Sequence, residues 1–162
     1  MVVKGFDATL TQSPLQAEQR ERAQAAHVHG QPQLNNADQN RLEETPLIDM
    51  AYFEELRDLD QNGGMGLARE VIGIFLDTSA QAVAQVNSAL AQADLVALGK
   101  AAHSLKSSTA NVGAQRLSGY YQRMEELCKA QDMPAASAMV EEVLREHALA
   151  VQKLKEVKVQ LV

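Results

Sequence analysis

From Pro46 to the end of the chain, apolar residues recur at steps of three and four, a spacing that predicts helices. Strand signals and internal repeats are absent. Leu47, Met50, Phe53 and Leu56 predict a short helix over 47–59, ended by the turn signal Asp60-Gln61-Asn62-Gly63-Gly64. A longer helix is expected over 66–91, with Leu67, Val71, Ile74, Phe75, Thr78, Ala82, Val86 and Leu90 as its inner stripe. Asp94 is placed to cap a helix that closes near Val112-Gly113, and its stripe is Leu95, Leu98, Ala102, Leu105, Thr109 and Val112. The next helix spans 114–131 on Leu117, Tyr120, Met124 and Leu127, with one of Tyr120 and Tyr121 turned in and the other out. Pro134 suits the first turn of a last helix carrying Met139, Val140, Val143, Leu144, Val151, Leu154 and Val157. Four long amphipathic helices on short connections make an all-α, up-down four-helix bundle, with the short extra N-terminal helix across one end.

Composition divides the chain at residue 46. Residues 1–45 are rich in Gln and Asn, hold Phe6 as their only aromatic, and read as a polar linker or flexible tail ahead of the bundle at 46–162. Leu15 to His27 could form a solvated helix. Aromatics are 4% of the chain and there is no Trp, so the core must be aliphatic. With 15 Lys and Arg against 21 Asp and Glu, the net charge is −6, which disfavours nucleic-acid binding. Cys128 is the one cysteine, so an internal disulfide is excluded. No apolar run approaches the roughly 20 residues of a membrane span, and a soluble, cytoplasmic protein is expected.

The helix over 94–113 carries the candidate chemistry. On a wheel of about 100° per residue, His103 lies roughly 130° from the middle of the apolar stripe and should face solvent. Its neighbours three and four residues away are Gly99, Lys100, Lys106 and Ser107. Gly99 in mid-helix costs about 1 kcal/mol relative to Ala, and a bare surface that lets another protein approach His103 would account for it. An exposed imidazole nitrogen can attack a phosphoryl group presented in line. Lys106 and Lys100 could stabilise charge on the phosphoryl oxygens. No carboxylate cluster for Mg²⁺ and no phosphate-cradling loop accompany it, so metal and donor must come from a partner.

The run Ala102-His103-Ser104-Leu105-Lys106-Ser107-Ser108-Thr109-Ala110-Asn111-Val112-Gly113 resembles the A-H-x-L-K-G signature of histidine phosphotransfer (HPt) domains, with Ser107 in place of the glycine. Pro46 to Leu56 looks like the opening helix of that family. The resemblance implies a phosphorelay carrier without autonomous catalysis. Such a carrier takes a phosphoryl group on His103 from the aspartate of a response-regulator receiver domain and passes it to another. It implies Lys106 as electrostatic support, Mg²⁺ supplied by the receiver, and a docking face of Gly99, Lys100, Lys106, Ser107 and Ala110 around His103. Counting equal distances from Gly113 brings the stretch around Gln122 level with His103. Either Gln122 or Glu125 would then flank the phosphohistidine, and the spacing does not choose between them. Such domains often end hybrid sensor kinases, and Val3-Lys4-Gly5-Phe6 resembles the K-P-F that closes many receivers.

Other readings carry less. Asn62-Gly63-Gly64-Met65-Gly66 is a helix-to-helix turn rather than an ATP-binding glycine box, since no strand precedes it. Ser104 stands where a kinase's own phosphoacceptor helix usually has an acidic residue. His27-Val28-His29 is too small a set for a metal site, and His147 is expected to be packed or half-buried. Cys128 has little basic surrounding to activate it. The alternative from another class is a non-phosphorylated helical adaptor that binds a receiver or another signalling protein.

Overall fold

The computed structural model describes residues 36–161, and among them there are six helices and no strand. They are α1 (Asn36–Glu44), α2 (Met50–Leu59), α3 (Gly66–Ala91), α4 (Leu95–Ala110), α5 (Gln115–Lys129) and α6 (Met133–Gln160). The last four form the expected up-down bundle, and α2 packs on α3 at one end. The candidate helix at 15–27, the His27/His29 pair and Val3 to Phe6 lie outside the described residues. No helix among the described residues is long and apolar enough to cross a membrane.

Helix starts follow the capping residues. Asp49, Asp94 and Asp132 accept from the backbone N–H of Ala51, Ala97 and Ala135 at 3.0, 2.9 and 3.0 Å. The three turns joining α3 to α6 share one construction. Ala93, Gly113 and Gln131 adopt φ of 51, 70 and 59°. The N–H of the following residue reaches back to Ala89, Thr109 and Leu127 at 2.9, 2.9 and 3.1 Å. This is the left-handed helix ending that satisfies orphan carbonyls and reverses the chain within a few residues. Glycine is required at the middle turn. A Cβ on Gly113 would lie 2.9 Å from the Asp49 carbonyl oxygen, and Asp49 N–H bonds the Gly113 carbonyl at 2.8 Å.

Three expectations are corrected. The polar stretch 36–44 forms a helix, held by one apolar residue. Leu42 occupies a notch left by Gly119, where a Cβ would overlap Leu42 Cδ2. A single leucine makes no periodic stripe, so the pattern could not announce it. The inner face of α3 runs through Ala68, Ile72, Phe75, Ser79, Val86 and Ala89, while Ile74 is 59% exposed. The line mixes the large Ile72, Phe75 and Val86 with the small Ala68, Ser79 and Ala89, which give no apolar signal, and Leu67 and Val71 flank it half-buried. Tyr120 and Tyr121 both point inward, since α5 packs against α4 on one side and α6 on the other. Tyr120 Oη donates to Glu142 Oε1 at 3.2 Å, and Tyr121 Oη meets His147 Nδ1 at 2.8 Å.

His147 is buried, and its other ring nitrogen pairs with the Ser79 hydroxyl, so α3, α5 and α6 share one internal polar chain. A neutral imidazole offers one donor and one acceptor, so one hydroxyl accepts and the other donates. Burial holds the His147 pKa down to about 4.

Two predictions follow from these contacts. Gly113→Ala should lose about 2 kcal/mol or more, from the left-handed backbone and the clash with the Asp49 carbonyl, whereas Ala93→Gly should gain about 1 kcal/mol; urea unfolding midpoints check both. Between pH 6.5 and about 4 the unfolded chain binds a proton at residue 147 that the folded chain refuses. Stability should therefore fall by about 2–3 kcal/mol on acidification through that window. In His147→Phe, which is less stable throughout, that slope should be largely gone.

Candidate functional site

α4 turns Leu98, Ala102, Leu105 and Thr109 into the core, which leaves His103 on the outer side with its side chain 64% exposed. α5 runs back alongside α4. Gly99 is where the two helices come close, since a Cβ there would sit 3.2 Å from Cys128 Cβ. The mid-helix glycine thus serves helix packing, not only the open surface expected of it. Ser118 Oγ donates to the Lys106 carbonyl at 2.9 Å and helps hold the register.

That register places Glu125 beside His103. Glu125 is 6% exposed, and its carboxylate gathers three partners. His103 Nδ1 lies 3.0 Å from Oε1, Lys106 Nζ donates to Oε2 at 2.7 Å, and Lys129 Nζ lies 2.7 Å from Oε1. The ammonium groups of Lys106 and then Lys129, followed by the His103 hydrogen bond, hold its pKa down to about 2 against the opposing effect of burial. An ionised carboxylate only accepts, so Nδ1 must be the protonated nitrogen of His103. In the neutral ring the lone pair then sits on Nε2, on the side away from Glu125. The site thus presents a nucleophilic nitrogen outward, a fixed tautomer, and two lysines within reach of whatever binds Nε2.

His103 and Glu125 both line an open groove. Leu95, Val96, Gly99 and Lys100 line it from α4, Cys128 and Lys129 from the end of α5, and Gln131 from the turn that follows. Val96 is 64% exposed, an apolar surface of the same groove about two helical turns from the imidazole. Lys100 is exposed and has no ion-pair partner among the described residues. Ser107 and Ala110 lie further along α4 than the groove, and Ser107 Oγ approaches the His103 carbonyl at 3.5 Å. Of the two candidates opposite His103, Glu125 makes the contact. Gln122 faces outward and its amide donates to Glu126 at 3.3 Å. Lys129 was missed as a site residue, although Glu125 and Lys129 stand four apart on one helix face. Cys128 is buried, and burial together with the Glu125 charge pushes its thiol pKa up, so it is poorly reactive. Among the described residues, no three His, Cys, Asp or Glu side chains converge to hold a metal ion.

The neutral tautomer is directly observable. In ¹⁵N-resolved NMR of the neutral protein, His103 should show the Nδ1–H form, and Glu125→Ala should return it toward the tautomer mixture of a solvated imidazole.

Comparison with known proteins agrees with this geometry. The Hpt domain family matches residues 70–156. The fold is similar to histidine-containing phosphotransfer protein B (HptB) of Pseudomonas aeruginosa, at 25% identity and a TM-score of 0.63, covering 72% of this chain and 98% of that one. A rice protein provisionally described as a histidine-containing phosphotransfer protein shares the fold at 21% identity and a TM-score of 0.59, over 78% of this chain and 96% of that one. No curated protein sequence matches the chain. The chain belongs to the Hpt family of histidine phosphorelay carriers.

Proposed function

We propose that His103 is the phosphoacceptor and that the protein carries phosphoryl groups between receiver domains. The observation that supports this most strongly is the state of the imidazole, with Nδ1 committed to Glu125, Nε2 without a hydrogen-bond partner among the described residues, and the exposed ring lining an open groove. A receiver domain docks over that groove and presents an aspartyl phosphate in line with Nε2. The Nε2 lone pair forms the N–P bond as the acyl P–O bond breaks, and its electron pair stays on the departing aspartate carboxylate. Nδ1 keeps its proton, and the positive charge that develops on the ring is met by Glu125. Lys106, 30% exposed, is free enough to turn from Glu125 toward the phosphoryl oxygens. Lys100 stands at the rim of the same groove.

In this reading Mg²⁺ belongs to the receiver and work proceeds in the cytoplasm. The receiver's apolar contact is Val96 with Leu95, about two turns from His103, while Ser107, Ala110 and Gln122 form the outer margin of the docking face. A pure adaptor would need neither the fixed tautomer nor the lysine pair on a buried carboxylate.

The test is phosphoryl transfer from a panel of ³²P-labelled receiver domains. The wild type should take up acid-labile, base-stable label from at least one donor, and His103→Gln should take none while keeping its helical circular dichroism. Label on His103→Gln would place the acceptor elsewhere. Binding of a receiver without transfer would favour the adaptor.

A further inference from the structure

Glu125 does more than orient a ring, because of what phosphorylation does to the other nitrogen. Once Nε2 carries phosphorus, Nδ1 can either keep its proton, leaving the ring cationic, or lose it. The cationic ring is the better leaving group, since cleavage returns the P–N electron pair to a ring that is then neutral. Whatever favours the proton on Nδ1 therefore makes the phosphoryl group easier to give away. Glu125 Oε1 lies 3.0 Å from Nδ1, in direct hydrogen-bond contact, and Glu125 itself is 6% exposed, so its charge acts on Nδ1 at short range.

The charges facing this carboxylate decide its effect. Lys106 comes from α4 and Lys129 from its own helix. Cys128 is adjacent with a raised pKa, and Lys100 lies across the groove. In the unphosphorylated state both lysines sit on Glu125 and dilute its pull on Nδ1. A phosphoryl group at Nε2 offers them a second anionic partner. Lys129 is 72% exposed and Lys106 is 30% exposed, so neither is locked in place. As they turn to the phosphoryl oxygens, more of the carboxylate's charge acts on Nδ1–H.

We infer that Glu125 is a positioning residue that keeps the phosphorylated His103 ring protonated at Nδ1, and so holds the phosphoryl group in a labile state ready for onward transfer. The inference rests on the phosphorelay reading above. In the onward step the P–Nε2 bond breaks, its electron pair returns to Nε2, the phosphoryl group passes to a receiver aspartate or to water, and the proton stays on Nδ1.

The experiment phosphorylates the full chain with phosphoramidate, so that no receiver is needed, and follows loss of phosphohistidine by ³¹P NMR from pH 5 to 9. An opposite charge at this distance shifts a proton equilibrium by about one unit or more, hence about tenfold in the protonated fraction. Glu125→Gln should therefore lose its phosphoryl group about tenfold more slowly than wild type at pH 8. The two rates should converge near pH 5, where solvent protonates both rings. Glu125→Asp, which keeps the charge but draws it back, should fall between them. Superimposable pH profiles in wild type and Glu125→Gln, or a faster loss from Glu125→Gln, would overturn the inference while leaving the carrier assignment standing. A wild type that forms no phosphohistidine at residue 103 would overturn both. Circular dichroism of each variant separates these outcomes from unfolding, and if Glu125→Gln unfolds, the wild-type and Glu125→Asp profiles decide alone, superimposition again overturning the inference.

Discussion

The antiparallel register of α4 against α5 is the constraint on which the rest of this molecule depends. Gly113 sets it at one end, through a left-handed turn pressed against the Asp49 carbonyl. Gly99 sets the separation, by letting Cys128 come to the α4 backbone. With both in place, a carboxylate on one helix falls opposite an imidazole and an ammonium on the other. A slip of one residue would rotate Glu125 by about 100° and dissolve the site. Two glycines that look dispensable in a helical sequence thus carry the chemistry, although neither touches the reacting nitrogen.

The buried carboxylate is tolerable because it is shared. An isolated ionised carboxylate away from water would carry a penalty of several kcal/mol. Here three donors from two helices surround it, and their combined field outweighs desolvation. The arrangement is also reconfigurable, because two of those donors are the ends of flexible lysines that reach solvent. Rigidity belongs to the Glu125–His103 pair and mobility to Lys106 and Lys129. That division suits a carrier, which must present one nitrogen in a fixed state while its surroundings adapt to an arriving dianion.

Much of this was legible in the sequence, for identifiable reasons. Asp94, Pro134 and Gly113 are local signals whose meaning does not depend on the rest of the chain, and they marked helix ends well. The α4 stripe was plain because its large residues are the buried ones, which put His103 on the outer face. The α3 stripe misled in part: Phe75 and Val86 are buried as expected, but the core line also runs through Ala68, Ser79 and Ala89, small residues without an apolar signal, of which Ser79 pairs with His147. Helix α1 was invisible since Leu42 alone anchors it. The choice between Gln122 and Glu125 could not be made from one sequence, as both lie near the right distance from Gly113 and the rotation of α5 decides between them. That rotation follows from Tyr120 and Tyr121 both entering the core, a consequence of α5 packing on two sides.

The two histidines of the described bundle show how environment assigns role. Each has two ring nitrogens, and the count of free lone pairs separates them. Both nitrogens of His147 are engaged inside the core, one with Ser79 and one with Tyr121, so no lone pair faces outward and burial keeps the ring uncharged. It is a structural linker among three helices. His103 has one nitrogen engaged and one open, and its engaged nitrogen meets a carboxylate rather than a hydroxyl. A hydroxyl can accept or donate, and so leaves the tautomer of its partner unsettled; an ionised carboxylate can only accept. The identity of the partner group therefore fixes which nitrogen of His103 can act as a nucleophile, and the direction in which α4 turns that nitrogen fixes who can reach it.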